Sequence, residues 1–191
     1  MILAMDVCNE VGSIALLDGA RLLEERRLES PDGFGHTLFG AIDELLAAHG
    51  VPLSAIDLYA VATGPGSFTG VRIGLTAAKG LAFASEKPLA GVTNLEALAS
   101  LGIGPLRAPV FDARRGDVYA AVYDDALGVV VPPMVCPIDA FPIGAATRID
   151  AGPLLAAAVG RLAAQRGGVH PAAVDATYVR PSDAELLNFS S

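Results

Sequence analysis

Gly64-Pro65-Gly66-Ser67-Phe68-Thr69-Gly70-Val71-Arg72-Ile73-Gly74-Leu75 is a glycine-proline turn that runs directly into a nearly uncharged helical pattern. Ser67 is suited to cap that helix, and the apolar spacing carries it from about Phe68 to Ala84. Gly costs about 0.8–1 kcal/mol against Ala in a helix interior, so Gly70, Gly74 and Gly80 call for something that approaches the backbone closely. Gly70, Gly74, Ala77, Ala78 and Leu81 lie along one stripe of small residues, a spacing that lets two helix axes approach. Phe68, Val71, Leu75, Ala82 and Phe83 spread apolar surface over other faces, and Arg72, Thr76 and Lys79 form the polar strip. A helix apolar nearly all round needs cover on more than one side. One cover is its own sheet; the expected second is another protein.

The turn also admits an anion-cradle reading, because backbone N–H groups at a helix start favour phosphate. Asp6, Gly64, Gly66 and Ser67 are the candidate anion or nucleotide contacts. The plainer reading is a tight turn with a close helix contact. A phosphate loop of the Walker type is excluded: five residues separate Gly64 from Gly70, and Val71 follows instead of Lys. A nucleophile elbow is excluded too, since Ser67 directly follows Gly66.

Upstream, Ile2–Asp6, Ser13–Leu17 and Arg21–Leu28 read as three consecutive antiparallel strands, with Asp18-Gly19 as a hairpin turn. Ser30-Pro31-Asp32-Gly33 breaks the pattern. The apolar positions Leu38, Phe39, Ile42, Leu45 and Leu46 predict an amphipathic helix over His36–His49, able to lie beside the glycine helix. Leu58–Thr63 and Pro88–Thr93 read as strands and Leu95–Leu101 as a helix. Gly102-Ile103-Gly104-Pro105 is the expected boundary between lobes of residues 1–101 and 102–191. Beyond it, strands are expected at Ala108–Asp112, Val118–Tyr123 and Val129–Val131. Irregular chain is expected through Pro132, Pro133, Pro137 and Pro142, then a helix over Leu154–Arg166 and a short extended piece at Tyr178–Pro181. The strand-helix order of the first lobe recurs only faintly in the second.

Among the 191 residues, 52% are apolar and 18% charged, enough to build a core. A formal net charge of −8, with Lys79 and Lys87 the only lysines, argues against direct nucleic-acid binding. Any service to RNA is expected to run through a partner. Cys8 and Cys136 have neither metal nor disulfide-framework spacing. Met1 leads straight into a strand-like run without a basic leader, and apolar stretches break before spanning length, so a cytoplasmic protein with no membrane association is expected. His36, His49 and His170 include no pair four residues apart, and no metal site is expected. Asp112-Ala113-Arg114-Arg115-Gly116-Asp117 is a charged hairpin, read either as a solvated turn or as an Arg pair that pins a partner's carboxylates.

The glycine stretch closely resembles the signature of the TsaB (YeaZ) family. Ile2-Leu3-Ala4-Met5-Asp6, Lys79-Gly80-Leu81-Ala82, Pro88-Leu89-Ala90-Gly91-Val92, Leu95-Glu96-Ala97-Leu98, Asp112-Ala113-Arg114-Arg115-Gly116-Asp117-Val118-Tyr119 and Tyr178-Val179-Arg180 agree in order. The resemblance implies an α/β chain of the actin-like, sugar-kinase and Hsp70-type ATPase (ASKHA) superfamily, in a reduced two-lobe form with a shortened second lobe. It implies a dimerization subunit of the bacterial complex that makes threonylcarbamoyladenosine on tRNA: a non-catalytic scaffold. Its helices would join those of a catalytic paralogue, TsaD, and an ATPase, TsaE, would bind the pair. The expected partner-binding residues are His36, Phe39, Phe68, Gly70, Arg72, Ile73, Gly74, Ala77, Ala78 and Leu81. Asn94 and Leu98 stand where the paralogue carries two metal-binding histidines. Cys8 stands where the superfamily's phosphate loop carries Gly after its Asp, and where this family has Thr-Ser or Thr-Ala. The expectation is no catalytic residue and no cofactor on this chain alone, ATP at a partner interface, tRNA contacted only indirectly, and a homodimer in the partner's absence. The rivals are a small-molecule kinase or ATPase of the same fold, which needs the missing glycine, and a peptidase, which needs a nucleophile or metal arrangement that the sequence does not supply.

Overall fold

The computed structural model describes residues 1–29, 33–152 and 154–179. The chain opens with strands β1 (Ile2–Asp6), β2 (Val11–Asp18) and β3 (Arg21–Glu29), then helix α1 (Leu38–Ala48), strand β4 (Leu58–Ala62), helix α2 (Phe68–Ala84), strand β5 (Leu89–Val92) and helix α3 (Asn94–Leu101). These strands form one sheet in the order β3-β2-β1-β4-β5. β1 pairs antiparallel with β2 and parallel with β4. Every residue of β1 and β4 is buried, as befits central strands covered on both faces. Leu3 and Met5 pack with Leu38, Ile42, Leu45, Ala77 and Ala78 beneath α1 and α2.

The second lobe carries strands β6 (Leu106–Asp112), β7 (Asp117–Asp124), β8 (Val129–Pro137) and β9 (Thr147–Asp150), followed by helix α4 (Ala156–Arg166). Its sheet order is β8-β7-β6-β9. β6–β7 and β7–β8 are antiparallel and β6–β9 parallel. The first four strands of the first lobe have the same connectivity and senses, so the repeat that reads faintly in the sequence is plain in the topology. Two lobes built on this repeated order define the reduced ASKHA architecture.

Three expectations are corrected here. The strand expected over Val129–Val131 runs on to Pro137, through prolines where irregular chain was expected. β8 lies at the sheet edge, and Pro132 and Pro133 fall where its register against β7 shifts between Val131 and Met134, a bulge that tolerates residues without an N–H donor. The strand β9 carries too few apolar residues to announce itself, and only its pairing with β6 defines it. The chain boundary near Gly102 separates the two sheets but not the two halves of the packing. Helix α3 packs on β6 and β7, while α4 crosses back to pack on β1, β2 and β4. One core unites Ala4, Leu17 and Ala60 with Phe111, Ala121 and Tyr123 around Leu155, Val159 and Leu162.

The start of α4 shows why it returns. Ser13 Oγ accepts Ala156 N–H at 3.0 Å, and Glu25 Oε1 accepts Ala157 N–H at 3.0 Å. Ser13 Oγ–H also donates to Glu25 Oε1 at 3.0 Å. The free N–H groups of this helix are therefore satisfied by the first sheet, with a carboxylate at the positive end of the helix. Arg180 and Pro181 of the expected terminal piece lie outside the described residues.

Candidate functional site

The glycine turn closes on its own chain. Gly64 has φ +103°, a conformation that L side chains rarely adopt. Asn94 Oδ1 accepts Gly64 N–H at 3.0 Å, and Asn94 N–H donates back to Gly64 O at 2.8 Å. Ser67 N–H donates to Cys8 O at 2.6 Å. Ser67 Oγ accepts Gly70 N–H at 3.4 Å, the expected cap of α2. A Cβ on Gly66 would stand 2.5 Å from Cys8 O, and one on Gly70 would stand 2.3 Å from Val7 O. The loop after β1 therefore occupies the space over the helix start. The N–H groups of Gly64 and Ser67, read as anion contacts, are committed to protein acceptors.

Asp6 is buried, and its Oδ1 accepts Cys8 N–H at 3.0 Å. Burial raises its pKa above the ordinary carboxylate value; the Cys8 N–H and then the Asn94 amide pull the other way. Asn94 Nδ2 is buried without a hydrogen-bond partner among the described residues. Burial and then the Asp6 charge push the Cys8 thiol well up, so it stays protonated and inert. Asp6 thus caps a turn in the chain's interior.

The small-residue stripe is corrected as well. Gly70, Gly74, Ala77 and Ala78 are buried in the chain's own interior. A Cβ on Gly74 would meet Val7 Cγ2 at 2.9 Å. The close neighbour that Gly70 and Gly74 require is the end of β1, not a second subunit. Leu81 is half-buried against the same core. Gly80 behaves differently: nothing lies within 4 Å of a Cβ built there.

What α2 presents outward is another stripe. An open groove of about 610 Å³ lies between α1 and α2, lined by Gly35, Leu38, Phe39, Phe68, Thr69, Arg72, Ile73, Thr76, Ala77 and Gly80. Phe39 is 52% exposed and Phe68 47% exposed, so two aromatic side chains stand unburied at one groove. His36 is exposed in the 3-10 turn Phe34–His36 that leads into α1 and is not among the lining residues. Of the expected partner-binding residues, Phe39, Phe68, Arg72 and Ile73 come together on this open face, and the buried Ala77 reaches its floor. The expectation missed Gly35 and Leu38, and on α2 it missed Thr69, Thr76 and Gly80, whose spacing of one or two helical turns from Arg72 was the available signal.

Elsewhere, Arg114 Nη2 donates to Glu10 Oε1 at 2.6 Å, joining the β6–β7 turn to the β1–β2 turn. Arg114 is therefore paired within the chain. His49 pairs with Glu24 at 2.8 Å, and the His170 ring packs edge-on against Phe83 at 5.4 Å. Asn94 and Leu98 are wholly buried on α3. Among the described residues, no group of three or more His, Cys, Asp or Glu could hold a metal ion. No helix there is long and apolar enough to cross a membrane.

Fold and site together define a class: a reduced two-lobe ASKHA chain with a buried carboxylate after its first strand and an open apolar groove between two helices. Residues 33–140, more than half of the chain, match the family model described as TsaD: tRNA N6-adenosine threonylcarbamoyltransferase. The tRNA threonylcarbamoyladenosine biosynthesis protein TsaB of Bacillus subtilis is 37% identical over 131 residues, covering 68% of this chain and 57% of its own length. TsaB of Escherichia coli is 36% identical over 127 residues, covering 64% and 54%. The chain thus spans little more than half the length of these curated relatives. The solved structure of YeaZ from Pseudomonas aeruginosa superposes with a TM-score of 0.79 at 30% identity, covering 93% of this chain and 98% of that one. The chain belongs to the TsaB/YeaZ family.

Proposed function

We propose that this chain is a non-catalytic scaffold subunit in tRNA threonylcarbamoyladenosine biosynthesis. It dimerizes with a catalytic TsaD paralogue and activates threonylcarbamoyl transfer to a tRNA adenosine. The observation that carries the reading is the groove between α1 and α2, where Phe39 and Phe68 stand half exposed. An apolar face of this kind is covered in use by another protein. The sealed Asp6 turn and the buried Asn94 and Leu98 support placing the chemistry on the partner. In this reading the chain binds no cofactor alone, and ATP lodges at the partner interface. TsaE binds the assembled pair, tRNA is met indirectly, and the work is done in the cytoplasm. Without its partner the chain pairs with itself through the same face.

Phe68→Ser and Phe39→Ser are the informative variants, since Gly74 faces the interior and its replacement would test folding instead. Modification of tRNA by the paralogue is measured with no added chain, with wild type and with each variant. Stimulation by wild type and its loss in the variants is expected. Equal modification with and without the chain overturns the reading. Turnover of Mg-ATP by the isolated chain would favour a small-molecule kinase or ATPase.

A further inference from the structure

Among the described residues, Arg72 is the only charged one lining the groove, and it is held rather than free. Its guanidinium carbon sits 3.8 Å from the centroid of the Phe68 ring. Its Nε–H donates to Tyr178 Oη at 3.2 Å. Tyr178 in turn stacks on Phe68, with centroids 5.7 Å apart. The segment that delivers Tyr178 is fastened along α2. Asp175 accepts from Lys79 Nζ at 3.3 Å, and Thr177 N–H donates to Thr63 O at 2.8 Å. Two contacts thus fix the arginine plane while its two terminal nitrogens have no ion-pair partner among the described residues.

An apolar occupant of this groove would cover that cation. A charge left unpaired under apolar cover is strongly unfavourable, so a tight occupant must bring an anion with it. Arginine's planar fork selects a carboxylate held in two parallel hydrogen bonds. Among the described residues, the groove lining contains no Asp or Glu. A second copy docking face to face about a two-fold axis presents the same lining residues, and these give Arg72 no anion.

We propose that Arg72, positioned by Tyr178, is the specificity-determining residue of this face. Its partner is a heterologous apolar helix that carries one carboxylate opposite the guanidinium. The inference rests on the docking reading above and adds the chemistry that separates the true partner from a second copy. Tyr178 acts as a positioning residue: it restricts the guanidinium before the partner arrives, so less side-chain freedom is lost on binding.

The test uses the full chain with the TsaD paralogue of the same organism as the probe, by titration calorimetry at several salt concentrations. Self-association is measured by sedimentation and folding by thermal melting. Arg72→Gln is expected to weaken heterologous binding by about thirtyfold or more and to flatten its salt dependence, whereas self-association, which covers the cation without an anion, tightens and melting stays unchanged. Tyr178→Phe is expected to weaken it several-fold in the same direction. Reversal by Arg72→Glu should be rescued by a Lys in place of one interface carboxylate of the paralogue. Arg72→Gln that binds the paralogue as wild type does, or that weakens self-association equally, overturns the proposal. Wild type that fails to bind the paralogue at all overturns the docking reading itself, and the two failures are thereby told apart.

Discussion

At the residue scale, the three glycines of α2 divide by what surrounds them. Gly70→Ala forces a Cβ to 2.3 Å from the Val7 carbonyl, a backbone atom that cannot step aside. A loss of about 2–3 kcal/mol is expected by chemical denaturation. Gly74→Ala meets only the end of a Val7 side chain at 2.9 Å, and a smaller loss is expected. Gly80→Ala enters open space on a helical backbone, and a gain of about 0.5–1 kcal/mol is expected. Asp6 makes a pH prediction. Its folded pKa lies above the unfolded value, so the native state binds more protons than the unfolded one as pH rises through that interval. Its contribution therefore declines from about pH 4 upward and is absent as a penalty below it. Asp6→Asn keeps an oxygen for the Cys8 N–H, so melting at pH 7 is expected to be no lower than wild type, the advantage vanishing near pH 4. A variant equally destabilised at both pH values would contradict this account.

At the element scale, α2 faces two ways. Its small residues face β1, which lets the helix lie close to the sheet, and its larger outer residues meet α1 across the groove. Phe39→Ser and Phe68→Ser, at half-exposed positions, are expected to change stability by about 1 kcal/mol at most while abolishing association. The glycine stripe announced a close approach correctly and misidentified the neighbour. Spacing shows that a backbone must be approached, whereas the identity of what approaches depends on the path of a strand sixty residues upstream. The outer stripe was legible only in part, because Thr69, Thr76 and Gly80 are neither apolar nor charged enough to stand out from a solvated face.

At the scale of the whole molecule, the lobes share their helices. A fragment of residues 1–101 keeps all five strands of the first sheet but lacks α4, leaving Ala4, Leu17 and Ala60 without cover. It is expected not to fold, as judged by the absence of a cooperative thermal transition. The full chain is expected to unfold in one transition, because a single core crosses both sheets. Glu25→Ala removes both the acceptor for Ala157 N–H and the charge at the start of α4. A loss of about 1–2 kcal/mol is expected by denaturation.

The sequence by itself determined the first sheet, the bounds of α2 and the cap at Ser67, because strand alternation, helical period and turn chemistry act between near neighbours along the chain. Spacing along either helix does not bring Phe39 of α1 to Phe68, Arg72 and Ile73 of α2; the packing of the two helices does. Only the tertiary structure decided that Val7 and Cys8 fill the space over Gly70, and that β8 runs through its prolines at an edge. The tertiary structure alone also decided that α4 is capped by Ser13 and Glu25 and that Tyr178 returns to hold Arg72. Each of these joins groups far apart in the chain, where the stabilising contact exists only once the intervening segments have packed.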